Sequence, residues 1–311
     1  MSASQTPFHL AANPVLTQEM FDKFRALIHE KSGIHMRDGK QILIANRLRK
    51  RLATLRLTSY EEYYELLVAS GAGLEMSSFI DAVSTNETYF FREGGHFAAL
   101  SSTILPELFR AFPRLRIWSA GCSTGEEVYT LRLVADQAAH AAGAPEPQIV
   151  GTDISTTVIA RAREGIYRDR ALRLVPPDVL KSSFVPLGDG AFQVNEETRA
   201  RVEFRVHNLF TDPPPWPESH IIFCRNVMIY FDKPTQLKLV DEIFAQALHP
   251  AGYLCIGHSE SLSGFTKHFA YVSALRAPIY RVKNDLPGTR RDAAAAKGAP
   301  GARGASREVR P

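Results

Sequence analysis

From residue 15 to about 84 the apolar residues recur at helical spacing. In TQEMFDKFRALIHEKSG, Phe21, Phe24, Leu27 and Ile28 share a face, Thr17 has the chemistry of an N-cap and Gly33 ends the pattern. KQILIANRLRKRLATLRL puts Ile44, Leu48, Leu52 and Leu55 on one stripe, TSYEEYYELLVAS starts at a Thr58/Ser59 cap, and MSSFIDAVS supplies a fourth helix. A small bundle of short helices is expected here. From Arg114 the period changes. RLRIWSAG, PQIVGTDIS, RVEFRVHNLF, HIIFCRN and YLCIGHS read as strands; TGEEVYTLRLVADQAAHA, TTVIARAREGIY and PTQLKLVDEIFAQALHPAG read as helices, the last closed by a Pro-Ala-Gly turn. FAYVSALR and APIYRVK read as a closing antiparallel pair.

Strands alternating with helices predict a mostly parallel, doubly wound α/β sheet of Rossmann-like build, with a ligand across its carboxyl edge. Arg168 to Thr198 interrupts the alternation, and the turn signal LGDGAF within it predicts a small inserted β-hairpin subdomain. The expected organisation is a helical domain over 1–84, a linker over 85–98, the sheet domain over 99–285 with its insert at about 168–198, and a tail over 286–311.

Charge changes this picture only at the end of the chain. Six of the 37 Lys/Arg and two of the 33 Asp/Glu fall between Pro287 and Pro311, which leaves 31 of each sign elsewhere. A polyanion argument from net charge therefore rests on the tail alone, and its Ala/Gly/Arg/Pro composition predicts disorder. Cys122, Cys224 and Cys255 are odd in number and widely spaced in apolar contexts, the usage of reduced thiols in a cytoplasmic protein without a C-x-x-C metal pattern. The N-terminal stretch lacks the charge and apolar run of a signal peptide, and no apolar run is long enough to span a membrane.

The candidate chemistry clusters at strand ends. IWSAGCSTGEEVY lacks the G-x-G-x-x-G of dinucleotide folds, and its acidic pair Glu126–Glu127 suits a ligand with cationic or hydroxyl groups better than a pyrophosphate. Asp153, ending GTDIS, sits where such folds place the carboxylate that accepts from ribose hydroxyls. Asn208 and Leu209 pair an amide with an aliphatic side chain, a combination that suits adenine. In AVSTNETYFFREGGHF, Asn86, Thr88 and Arg92 are threaded among Tyr89, Phe90 and Phe91, an apolar trio able to anchor a segment that folds polar groups over a cleft. Arg225 and Asn226 end the apolar strand HIIFCRN, where burial is costly unless something polar meets them. DPPPW reads as a stiff surface loop, and His258 in GHSESL as a capping or core histidine. From Gln41 to Tyr60 there are five Lys/Arg and no Asp/Glu, with Arg47, Lys50 and Arg51 outside the apolar stripe. No aromatic interleaving accompanies them, so nucleic acid is not expected as a partner.

Taken together and in order, STNETYFFRE, WSAGCSTGEEVY, GTDIS, HNLF, FCRNVMIYFD and GHSESL resemble the bacterial chemotaxis receptor methyltransferases, the CheR family. The resemblance implies a class I S-adenosylmethionine-dependent methyltransferase that esterifies glutamate side chains on the helical cytoplasmic bundle of chemoreceptors, leaving S-adenosylhomocysteine and using no metal. It implies that Asn86, Thr88 and Arg92 close over the cofactor, with Glu127 near its amino acid portion and Asp153 near its ribose. Asn208 and Leu209 then border the adenine, and Arg225, Asn226 and Tyr230 line the active end of the fourth strand. Arg92, Tyr230 and Arg225 are the expected catalytic group. The basic strip Arg47, Lys50 and Arg51 would face the receptor, and a monomer without membrane insertion is expected. The hairpin tip VPLGDGAFQV is shorter than in members that dock a receptor's C-terminal peptide, so no dependence on such a tether is expected.

Overall fold

The computed structural model describes residues 14–70 and 73–283; the tail expected over 286–311 lies outside them. Four helices come first: α1 (Gln18–Ser32), α2 (Gln41–Leu55), α3 (Tyr60–Ser70) and α4 (Leu74–Val83). The Thr17 hydroxyl accepts from Met20 N at 3.2 Å and α1 leaves through a left-handed Gly33, as the cap residues predict. At α3, Ser59 Oγ accepts from Glu62 N at 3.1 Å while the Glu62 carboxylate accepts from Thr58 N at 2.9 Å. The bundle closes on Phe24, whose ring lies 5.6–6.4 Å from those of Tyr60, Tyr63, Tyr64 and Phe79. Ile44, Leu48 and Leu52 are fully buried against it.

A helical segment follows, α5 (Gly95–Ala99) and α6 (Leu105–Ala111) joined through a wider π turn at Leu100–Ile104. Next come β1 (Arg116–Ala120), α7 (Glu126–Ala142), β2 (Gln148–Asp153) and α8 (Thr156–Glu164). The insert holds β3 (Ile166–Arg168), α9 (Asp169–Leu172), α10 (Pro177–Ser183), β4 (Phe184–Gly188) and β5 (Ala191–Val194). Then α11 (Glu196–Ala200), β6 (Glu203–Val206), β7 (Ser219–Cys224), α12 (Lys233–Lys238), α13 (Ala245–Ala247), β8 (Leu248–Ile256), β9 (Phe269–Tyr271) and β10 (Ile279–Val282) complete the chain.

The main sheet has seven strands in the order β6-β2-β1-β7-β8-β10-β9. Its first five are parallel, and β10 runs antiparallel to both β8 and β9. Side chains alternate between two apolar layers: Ile117, Ile221 and Phe223 on one face, Trp118, Ile222 and Leu254 on the other. That double burial explains why β7 is an unbroken apolar run. The order reverses between β1 and β7, and the crevice at such a reversal is where ligands bind in open α/β sheets.

Three expectations need correction. The insert is a three-stranded antiparallel sheet, β3-β5-β4, and not a simple hairpin. Its first strand falls where the pattern predicts the end of a helix; α8 stops at a left-handed Gly165, and Ile166–Arg168 turns away to pair with β5. Likewise β8 begins at Leu248 and absorbs the predicted Pro-Ala-Gly turn, because Leu248 already pairs with Ser219 across an irregular register. The helix before it is interrupted by a π turn at Leu239–Phe244.

The helical domain is stitched to the sheet domain next to this crevice. Ile34 forms an antiparallel bridge with Phe231, His35 N donates to Tyr230 O at 2.7 Å, and Asn208 Nδ2 donates to Lys31 O at 2.8 Å. Asp81 accepts from Thr157 N at 3.2 Å at the start of α8. Among the described residues no helix is long and apolar enough to cross a membrane.

Candidate active site

A cavity of about 330 Å³ opens at the carboxyl edge of the sheet, within the range of roughly 300–1,000 Å³ typical of small-molecule sites. Asn86, Thr88, Arg92, Glu127, Asp153, Asn208, Leu209, Arg225, Asn226 and Tyr230 all line it. The structure thus brings together every cofactor-binding and catalytic candidate read from the sequence. Ser32, Ile34 and Met36 of the helical domain line it too, which sequence reading missed.

The turn after β1 forms the floor. Gly121 N and Cys122 N both donate to Thr152 O, at 2.8 and 2.9 Å, and Gly121 is left-handed with a Cβ position only 2.4 Å from a Val227 methyl. Only glycine fits there. Ser123 N donates to Asp153 Oδ2 at 2.9 Å and Ser155 N to Asp153 Oδ1 at 3.0 Å. Burial raises the Asp153 carboxyl above its usual range, and the two N–H groups oppose that. Each carboxylate oxygen holds one backbone N–H, so each retains acceptor capacity for a hydroxyl.

The opposite wall is built from charge. Arg225, almost fully buried, places Nη1 3.1 Å from Glu127 and Nη2 3.1 Å from Glu93, and also donates to Arg92 O. Glu127 accepts in addition from Ser119 Oγ at 2.8 Å. Burial raises the Glu127 carboxyl, with Arg225 pulling the other way. For Glu93 the same contest ends lower: burial raises the carboxyl, but Arg225 and the Asn226 amide hold it below the usual range. Asn226 adopts a left-handed backbone, φ 59°, and its Nδ2 lies 3.3 Å from Glu93. The sequence alone did not separate Glu126 from Glu127, and the geometry does. Glu127 faces the cavity, whereas Glu126 is buried away from it with Thr124 Oγ1 at 2.7 Å, its carboxyl pushed up to about 6 by burial.

The linker is the roof. Phe90 is buried 4.9 Å from the Tyr167 ring and 5.2 Å from Phe184, so the insert anchors it, and Phe91 packs on Phe97. Arg92 Nη1 donates to Glu87 O at 2.7 Å. Burial raises the Tyr230 phenol, an effect that the nearby Arg92 and Arg47 guanidinium groups oppose.

Residues 86–277 match the CheR methyltransferase SAM-binding domain, and residues 19–84 match the CheR methyltransferase all-alpha domain. The chain belongs to the CheR methyltransferase family. It is 37% identical over 281 residues to a chemotaxis protein methyltransferase of Borreliella burgdorferi, covering 88% of this chain and 97% of that one. It is 40% identical over 249 residues to chemotaxis protein methyltransferase 2 of Pseudomonas aeruginosa, covering 79% and 87%. Chemotaxis protein methyltransferase Cher2 of Pseudomonas putida is 34% identical over 272 residues, covering 85% and 98%. The chain is therefore an S-adenosylmethionine-dependent chemotaxis methyltransferase.

The residues of this CheR-family enzyme fit such a cofactor on their own chemistry. Asp153 keeps an acceptor on each oxygen, and Arg225, a residue of the cavity wall, has its Nε buried without a hydrogen-bond partner among the described residues. Other candidates stand differently from their sequence reading. The Asn208 amide is already engaged, donating to Lys31 O and accepting from Phe210 N at 3.0 Å. Arg47 donates to Val83 O and, at 2.9 Å, to Thr85 Oγ1, and Arg51 pairs with Glu75, which leaves Lys50 exposed. His258, expected as a cap or core residue, is half exposed with Nδ1 3.2 Å from Glu93, because the chain has already left the sheet at Gly257. Glu93, His96 and His258 bring ligand atoms within 4.8 Å of one another, but Glu93 is already neutralised by Arg225. Glu93 was missed although it stands inside the motif STNETYFFRE. Its partner Arg225 lies 132 residues away, and no local pattern reports such a pair.

Proposed function

We propose that this enzyme transfers the methyl group of S-adenosylmethionine to glutamate side chains on the cytoplasmic helical bundle of chemoreceptors, forming glutamyl methyl esters and S-adenosylhomocysteine for sensory adaptation. The observation that carries the reading is that Arg92 and Tyr230 line the same cavity as Asp153, Glu127 and Arg225. When bound, S-adenosylmethionine supplies a sulfonium methyl that a carboxylate oxygen can take directly.

Little acid–base chemistry is required of the protein. A glutamate is already ionised near neutral pH, its reference pKa being about 4.3. Alignment is the task, and proximity supplies on the order of 7–11 kcal/mol. Arg92 positions the incoming carboxylate and Tyr230 donates a hydrogen bond beside it. These contacts orient the carboxylate loosely, since over-stabilising it would blunt the nucleophile. Arg225 serves the cofactor's carboxylate and holds the cleft together through Glu93 and Glu127. Asp153 accepts from ribose hydroxyls, Asn208 and Leu209 border the adenine, and Asn86, Thr88 and Asn226 close the pocket. No metal ion is needed by this chemistry.

The groove lined by Arg47, Lys50, Arg51 and Arg161 receives the glutamate-rich receptor bundle, with charge acting mainly on encounter. In the insert, β4 and β5 are joined by only Asp189 and Gly190, which supports direct bundle recognition over dependence on a tethered peptide. A monomer acting in the cytoplasm, without nucleic acid, completes the reading. Mass spectrometry of a chemoreceptor's signalling helices after incubation with the protein and labelled cofactor tests it. Base-labile label on glutamate is the expected result; label elsewhere, or transfer only to oligonucleotides, overturns it.

A further inference from the structure

Glu260 does not line the cavity, yet it governs the loop that does. Its carboxylate accepts three backbone N–H groups, from Gly257 at 2.6 Å, Asn226 at 3.0 Å and Ile229 at 3.2 Å. Two of these lie in the loop after β7, which presents Asn226, Val227, Ile229 and Tyr230 to the cavity. Asn226 is left-handed and Val227 right-handed, φ −112° and ψ −45°. Successive residues of opposite hand turn their N–H groups inward and make an anion-binding nest. Here the anion is the protein's own side chain. The approach is close: a Cβ at Gly257 would lie 2.7 Å from Asn226 Nδ2 and 2.9 Å from Asn226 N. Glu93 grips the same residue from the other side, through Asn226 Nδ2.

We infer that Glu260 is a positioning residue for methyl transfer. It fills the nest beneath the Asn226–Tyr230 loop, fixes that loop in the shape that serves the cavity, and closes the nest to the carboxylates of cofactor and substrate. The inference rests on the glutamate methyl transfer proposed above. Without Glu260, three N–H groups, two of them in the cavity-lining loop, lose their acceptor and compete for any carboxylate that arrives.

Glu260→Ala in the full-length protein tests this with turnover, S-adenosylhomocysteine binding and amide hydrogen exchange. The expected result is kcat lowered at least about tenfold, with S-adenosylhomocysteine affinity lowered by a smaller factor. The amides of Asn226, Ile229 and Gly257 should exchange faster while those of β1 are unchanged. Added acetate should restore both turnover and protection by entering the emptied nest, a rescue that a merely structural residue would not give. Turnover within about twofold of the unaltered protein, or a folded variant whose loop exchange ignores acetate, overturns the inference. Should Glu260→Ala not fold, Glu260→Gln, which keeps the volume, reads the same exchange and turnover. Unaltered protein that fails to methylate receptor sinks the proposed function instead, and the exchange and acetate arms still decide the role of Glu260.

Discussion

At one end of the cavity Asp153 is held by the backbone N–H groups of Ser123 and Ser155, the nearer only two residues away. At the other end Arg225 is held by Glu127 and Glu93, carboxylates 98 and 132 residues distant in the chain. The first end is made when β1 and β2 pair. The second exists only after the linker, α7 and β7 have all docked. A backbone-built end tolerates surface change and keeps its shape; a charge-built end fails as a unit, because each buried group relies on the others.

The largest expected effect breaks the charge-built end. Arg225→Ala leaves Glu93 and Glu127 buried without their cation, and should destabilise the fold by on the order of 3–5 kcal/mol, read from urea midpoints near pH 7. A second change sharpens the contrast within one turn of helix, since Glu126 is buried without a cation partner among the described residues. Its carboxyl, raised to about 6, favours folding fully only below the ordinary carboxylate range, and that contribution is lost as pH rises through about 6. Glu126→Gln should therefore be more stable than the unaltered protein at pH 8, by on the order of 2 kcal/mol, with the advantage fading toward pH 4. Urea midpoints at the two pH values check it.

Smaller effects test the roof and the groove. Arg92→Ala should lower receptor methylation at least about tenfold, about 1.4 kcal/mol, with thermal stability kept. Retained turnover removes Arg92 from the transfer step. Lys50→Glu should slow receptor methylation about two- to fivefold at low salt and hardly at all at high salt. Lys50 is the informative choice because Arg47 and Arg51 already have partners inside the molecule.

The same division separates what was legible in the sequence from what was not. Alternating strands and helices, the Thr17 and Ser59 caps and the strand-end Asp153 all announce themselves within a few residues, so the helical domain, the parallel sheet and the Asp153 end of the cavity could be read directly. Glu93 and Glu260 could not, although both stand in motifs singled out for other reasons. Their partners lie across the sheet, and burial of Arg225 gives no clue to which carboxylate meets it. Arg47 has a contact that no local pattern reports: beside an apolar stripe it reads as surface charge, and it also ties the end of α4 at Val83 to the start of the linker at Thr85. The first strand of the insert escaped notice because Ile166–Arg168 is three residues long and follows a helix without a change of composition.

Isothermal calorimetry of S-adenosylhomocysteine with the intact protein tests the central claim most directly. One equivalent should bind, and Asp153→Asn, which turns an amide toward a backbone N–H, should weaken that binding clearly. A folded protein that takes up no S-adenosylhomocysteine would contradict the account.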